Sequence, residues 1–124
     1  MPQYIDGFVH PIPRANLKAY KKLVAKVAEI WKEHGALDYQ ECVGDDLQFD
    51  GLRSFVDAAD AKEGEVILFG WVVFESREAR ILINERVATD PRMAELMAAS
   101  YTGFNPERMA YGGFQPFVDS PTKN

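Results

Sequence analysis

Apolar residues recur at Leu17, Tyr20, Val24, Val27 and Trp31, at spacings of three and four, with Leu23 and Ile30 widening the stripe. That is the period of a helix burying one face, and it predicts a helix over residues 14–34. Asn16 stands where a cap belongs, and Gly35 marks a stop, because glycine accepts the left-handed backbone there. Ahead of this helix, residues 4–12 predict a strand fenced by Pro11 and Pro13. Residues 37–43 alternate apolar and polar, the period of a second strand. Residues 65–75 are apolar almost without a break, which implies a third strand buried on both faces. Ser76 then caps a second helix that turns Ala79, Leu82, Ile83 and Val87 inward. Asp90-Pro91 closes it and opens a short helix at 91–99, with Met93, Leu96 and Met97 as its buried face. Residues 108–118 predict a last strand at a sheet edge, since Pro116 cannot donate a ladder hydrogen bond. A long loop at 44–64 joins the second and third strands, with Ser54 heading one helical turn inside it. Residues 119–124 are read as a loose polar tail.

The order strand, helix, strand, strand, helix, strand describes an α+β, ferredoxin-like βαββαβ domain over residues 1–118. Its four-stranded antiparallel sheet carries both long helices on one face. The third strand has too few polar residues for the other face to be wet. The simplest cover is a second copy of the same sheet, which makes a two-fold homodimer and a dimeric α/β barrel.

Gly7, Gly70 and Gly112 fall inside strands, where glycine often marks close approach of another backbone. Placing all three under the helices puts Ile5, Val9, Leu68, Val72, Ala110 and Phe114 there too. The opposite face then carries Tyr4, Asp6, Phe8, His10, Phe69, Trp71, Met109, Tyr111 and Gln115. Large aromatics mixed with a few polar groups are the composition of a pocket wall or a wet interface. Tyr4, Phe8, Trp71 and Tyr111 are therefore the expected ligand-pocket residues.

The 124 residues include 14 Lys+Arg and 19 Asp+Glu, a net charge of −5. That balance argues against nucleic acid or anionic membrane as a partner. The basic residues between Pro13 and Lys32 are read as the solvated side of the first helix. The longest apolar run, Val66 to Phe74, is far shorter than the ~20 residues that span a bilayer, and no leader peptide is evident. A single cysteine, Cys42, excludes an intramolecular disulfide and suits a reducing, cytoplasmic location. It is expected to be buried and inert. No dinucleotide or phosphate-loop motif is present, and no His, Cys or carboxylate pair has a recognised metal spacing. Neither cofactor nor metal is expected.

Two histidines remain. His34 falls at a helix C-terminus, where imidazolium interacts favourably with exposed carbonyls, a structural role. His10 shares a strand face with Asp6, and a carboxylate there could tune it into a base. His10 is therefore the expected proton acceptor and Asp6 its orienting partner, with Trp71 and Tyr111 as walls. Two functions follow from these residues. One is a homodimer that binds or transforms a small apolar or aromatic molecule in a pocket at the sheet. The other is a non-catalytic assembly module with no pocket.

Several motifs occur in the order of a known family: Tyr4-Ile5-Asp6-Gly7-Phe8-Val9 with Pro11 and Pro13, Trp31-Lys32-Glu33-His34-Gly35-Ala36-Leu37, and Glu41-Cys42. Phe69-Gly70-Trp71, Ser76-Arg77, Asp90-Pro91-Arg92, Arg108-Met109 and Tyr111-Gly112-Gly113-Phe114 continue the match. The chain resembles, over nearly its whole length, the bacterial domain of unknown function family 1428, also called YbaA-like. The resemblance implies a dimeric, ferredoxin-like α/β barrel and carries over no catalytic residue. The wider superfamily it implies includes cofactor-independent oxygenases, haem-degrading enzymes and isomerases, a shared fold and not a shared activity.

Overall fold

A computed structural model describes residues 3–99 and 102–118. Strand β1 (Tyr4–Pro13) leads through a 3-10 turn, Arg14–Asn16, into helix α1 (Leu17–Glu33). Strand β2 (Asp38–Val43), the single turn α2 (Phe55–Ala58) and strand β3 (Glu65–Phe74) follow. Helices α3 (Arg77–Ala88) and α4 (Pro91–Ala99) precede a second 3-10 turn, Pro106–Arg108, and strand β4 (Ala110–Phe114). The strands form one antiparallel sheet in the order β2-β3-β1-β4, the ferredoxin-like arrangement the sequence predicts.

Local chemistry sets the element ends. Ser76 accepts a hydrogen bond from the Ala79 amide and so caps α3. Asn16 occupies the cap position of α1, but its side chain makes no capping bond. Gly35 ends that helix at φ 117°, and a Cβ there would lie 3.1 Å from Ile83 Cδ1, so both conformation and space call for glycine. Strand β4 sits at the edge but is shorter than its sequence suggests. Asn105 caps the Pro106–Arg108 turn through the Glu107 amide, and pairing with β1 runs out where Phe114 faces Ile5. The 119–124 tail lies outside the described residues.

Helices α1, α3 and α4 pack on one sheet face. Phe8, Val72 and Phe74 meet Ala36, Ile83 and Val87 there, with Trp31 edge-on to Phe74 at 6.0 Å. Ile12, Val66 and Leu68 meet Tyr20 in a second cluster. On α3, Ala79, Ile83 and Val87 form the inward stripe, and Leu82 falls outside it and is exposed. Met97 of α4 is largely exposed, while Met93 packs on the core.

Pairing reverses the expected faces of β1 and β4. Phe8 lies opposite Gly70, so both point toward the helices, together with Asp6, His10 and Tyr111. Gly7 pairs with Trp71 on one side and Gly112 on the other, so these two glycines occupy the open face with Ile5, Val9, Ala110 and Phe114. The three glycines do not share a face because they serve different ends. A Cβ on Gly70 would lie 2.5 Å from Phe8 Cζ and 2.7 Å from the Gln40 carbonyl, so Gly70 makes room under the helices. Gly7 and Gly112 instead floor a shallow apolar trough on the open side. In β3 the expected parity holds, with Leu68 and Val72 inward and Phe69 and Trp71 outward.

Burial of β3 on both faces extends only over Val66, Ile67 and Leu68. Beyond them the open face leaves Phe69 42% and Phe114 60% exposed. The 44–64 loop covers only part of it, with Phe55 packed edge-on to Phe69 at 5.9 Å. Cys42 faces the same side on the edge strand β2 and is exposed, not buried, because no helix covers that face. Among the described residues, no helix is long and apolar enough to cross a membrane.

Candidate binding site between sheet and helices

The alternation of β1 sends Asp6, Phe8 and His10 beneath the helices, where Asp6 and His10 are wholly inaccessible. Asp6 does not orient His10. They stand four positions apart along the strand, about 13 Å, and each has its own partners. Asp6 Oδ1 accepts from Arg80 Nε at 2.9 Å. Its Oδ2 accepts from the Tyr111 hydroxyl at 2.6 Å and from Asn84 Nδ2 at 3.5 Å. Arg80 also lies 5.5 Å over the Tyr4 ring, so Tyr4 belongs to this ion pair.

His10 belongs to a second network. Its Nε2 is 3.0 Å from the Tyr20 hydroxyl, which donates to Glu41 Oε2 at 2.8 Å. Tyr39 donates to Glu41 Oε1, also at 2.8 Å. The single Tyr20 proton goes to the carboxylate, the stronger acceptor, so the hydroxyl presents a lone pair to His10. His10 therefore carries its hydrogen on Nε2, and Nδ1 is a buried acceptor with no partner among the described residues. The His10 ring packs edge-on against Phe104 at 5.3 Å. Burial first, and then the Glu41 charge, push the Tyr20 and Tyr39 phenols far above their usual range. Burial and the bond to Asp6 push Tyr111 the same way. All three phenols therefore stay protonated and act as donors.

Between this polar floor and the helices lies a cavity of about 180 Å³. Leu23, Val27 and Trp31 wall it from α1, Met93 and Met97 from α4, and Phe8 and Val72 from the sheet. Glu41, Tyr20, Tyr39 and Tyr111 supply its polar groups. Tyr20, Val24, Tyr39 and Glu41 also line an open groove between α1 and β2, so the cavity and the groove share a wall.

Of the residues expected to line a pocket, Phe8 and Tyr111 do, their rings stacked at 6.0 Å and 10°. Trp71 faces the opposite side of the sheet, in the open trough. His10 and Asp6 stand behind the walls. Sequence reasoning passed over Tyr20, Tyr39 and Glu41. Tyr39 and Glu41 are two apart on a strand and so share a face, a signal that was available. Tyr20 was hidden inside the apolar stripe of α1.

The family model described as "Protein of unknown function (DUF1428)" matches residues 3–104. The chain belongs to this family. It is 37% identical over 117 residues to the Escherichia coli K12 protein named "Uncharacterized protein YbaA", covering 94% of this chain and 98% of that one. The Shigella flexneri protein of the same name matches to the same extent. Among solved structures, SnoaB, a cofactor-independent oxygenase from Streptomyces nogalater, superposes with TM-score 0.60 at 11% identity, covering 98% of this chain and 100% of that one. A nipsnap family protein of unknown function from Agrobacterium tumefaciens gives TM-score 0.60 at 16% identity, covering 97% and 93%. A dimeric ferredoxin-like protein from an uncultured marine organism gives 0.53 at 12% identity, covering 97% and 100%. At these identities the likeness is one of fold alone.

In this member of the DUF1428 family, no group of three or more His, Cys, Asp or Glu among the described residues is arranged to hold a metal ion. The cavity offers instead one carboxylate, three protonated phenols and a lining of aromatic, aliphatic and methionine side chains. That set can enclose an apolar body and orient one polar group.

Proposed function

We propose that the protein binds a small apolar or aromatic molecule in the cavity between sheet and helices, as one subunit of a homodimer. The observation that carries the proposal is the cavity itself, at about 180 Å³. An apolar cavity of about 150 Å³ is enough to admit benzene, so a single ring with one polar substituent is the size that fits. Glu41 and the tyrosines orient that substituent. Asp6, fixed to Arg80, holds the Tyr111 hydroxyl in place at one end. His10 donates from Nε2 to the Tyr20 hydroxyl and so holds Tyr20 in place.

The homodimer is argued from the uncovered face. Phe69, Trp71, Val73 and Phe114 present an apolar trough that a second copy would bury, closing two sheets into an α/β barrel. An exposed, single Cys42 suits a reducing, cytoplasmic setting. The net charge of −5 favours neither nucleic acid nor anionic membrane.

A second reading, a non-catalytic assembly module, is favoured by the apolar surface near the end of β4, where Phe117 is 98% exposed. Thermal melting with millimolar phenol, toluene or benzyl alcohol separates the two. Small-molecule binding expects a raised melting temperature that is lost when Val27→Phe fills the cavity. No rise with any probe would leave assembly as the better reading.

A further inference from the structure

We infer that the cavity is made for a small organic cation, with an ammonium group against Glu41 and an apolar or aromatic body between Phe8, Trp31 and Met93. The inference rests on the cavity being a ligand site. Its starting point is the electrostatic position of Glu41. The side chain is 8% exposed, and each oxygen accepts a hydrogen bond from a phenol, which fits the ionised form. Other shielded carboxylates in the molecule meet a cation: Asp6 meets Arg80, Glu65 meets Arg108, and Asp90 meets Arg92. Among the described residues, no lysine or arginine pairs with Glu41, and none lines the cavity.

His10 does not fill that role. Its Nε2 lies 3.9 Å from Glu41 Oε2, and the Tyr20 hydroxyl bonds to both. A second proton, on Nδ1, would sit fully buried with no acceptor among the described residues. A shielded carboxylate served only by neutral donors is costly, and a positive ligand relieves that cost where a neutral one does not. The rings of Phe8, Trp31 and Tyr39 around the cavity add the favourable face of an aromatic ring toward a cation. An anionic ligand meets the opposite situation, facing Glu41 with no basic side chain in the wall. The expected order is cation, then neutral molecule, then anion.

Calorimetric titration of the intact protein at neutral pH with benzylamine, benzyl alcohol and benzoate tests this with probes of nearly one shape. Benzylammonium should bind about tenfold more tightly than the alcohol, and benzoate should not bind. Glu41→Gln should abolish the preference for the amine over the alcohol. The ranking in the unaltered protein decides the matter even if that variant folds poorly. An alcohol that binds as well as the amine, or a benzoate that binds best, overturns the cation while the cavity stands as a site. Failure of all three probes overturns the cavity reading together with it.

Discussion

Tyr20 stands between His10 and Glu41, 2.8 Å from one carboxylate oxygen and 3.0 Å from the imidazole. His10 lies on β1 and Glu41 on β2, and β3 runs between those strands. One side chain from α1 thus ties two non-adjacent strands across a third, directly beside the cavity.

Replacing Tyr20 by phenylalanine leaves both His10 Nε2 and Glu41 Oε2 without their shared partner. The expected cost is about 1–3 kcal/mol for each buried group so orphaned. Tyr39→Phe orphans only Glu41 Oε1 and should cost less. Urea unfolding of the two variants checks the order, and equal losses would contradict the bridging role of Tyr20.

The pH dependence at the alkaline end follows from the same phenols. Tyr20, Tyr39 and Tyr111 have folded-state values raised above the unfolded value near 10. Their contribution to stability is complete below pH ~10 and is lost as pH rises beyond it. Absorbance titration should show these tyrosinates appearing together with unfolding, and Tyr39→Phe should make the alkaline fall shallower. Ionisation of all tyrosines near pH 10 in a protein that remains folded would contradict the burial described.

At the acid end the informative group is Glu65. Hydrogen bonds from Arg108 hold its carboxyl down to about 2 from an ordinary 4.5. The depressed value means a contribution present above pH ~4.5 and lost as pH falls toward 2. Arg108 also donates to the Asp60 carbonyl, so it pins the end of the 44–64 loop to the segment before β4. Carboxyl resonances followed by NMR should show Glu65 titrating near 2, and Arg108→Ala should return it toward its ordinary range.

Gly70 and Gly112 should respond differently to alanine. At Gly70 the new Cβ meets the Gln40 carbonyl and the Phe8 ring, and a loss of about 1–3 kcal/mol or more is expected. At Gly112 the nearest atom, Phe114 Cε1, is 3.7 Å away, so the folded subunit should tolerate the change. Similar destabilisation at both positions would contradict the opposite faces assigned to them.

The architecture was legible because periodicity is a property of the chain alone. The α1 stripe and the β3 run each dictate one element, and the apolar surplus of β3 pointed to an uncovered face. Which face each strand turned inward was not legible. A strand such as Tyr4–Pro13 has apolar residues at both parities, and only pairing with β3 decides between them. Grouping the glycines misled because Gly70 clears space for Phe8 while Gly7 and Gly112 clear the open trough. The Asp6–His10 pairing failed on distance, since residues on one face can still stand two positions out of reach. Glu41 escaped notice because its partner Tyr20 reads as core in the α1 stripe, although Tyr39, two residues away on β2, shares its face.

Sedimentation velocity across low to high micromolar concentrations tests most directly whether a second copy covers the open sheet face. The expected result is twice the subunit mass, shifting to a folded single subunit when Trp71→Arg places a charge in the trough. A wild-type protein that sediments as a stable single subunit throughout that range would contradict the account.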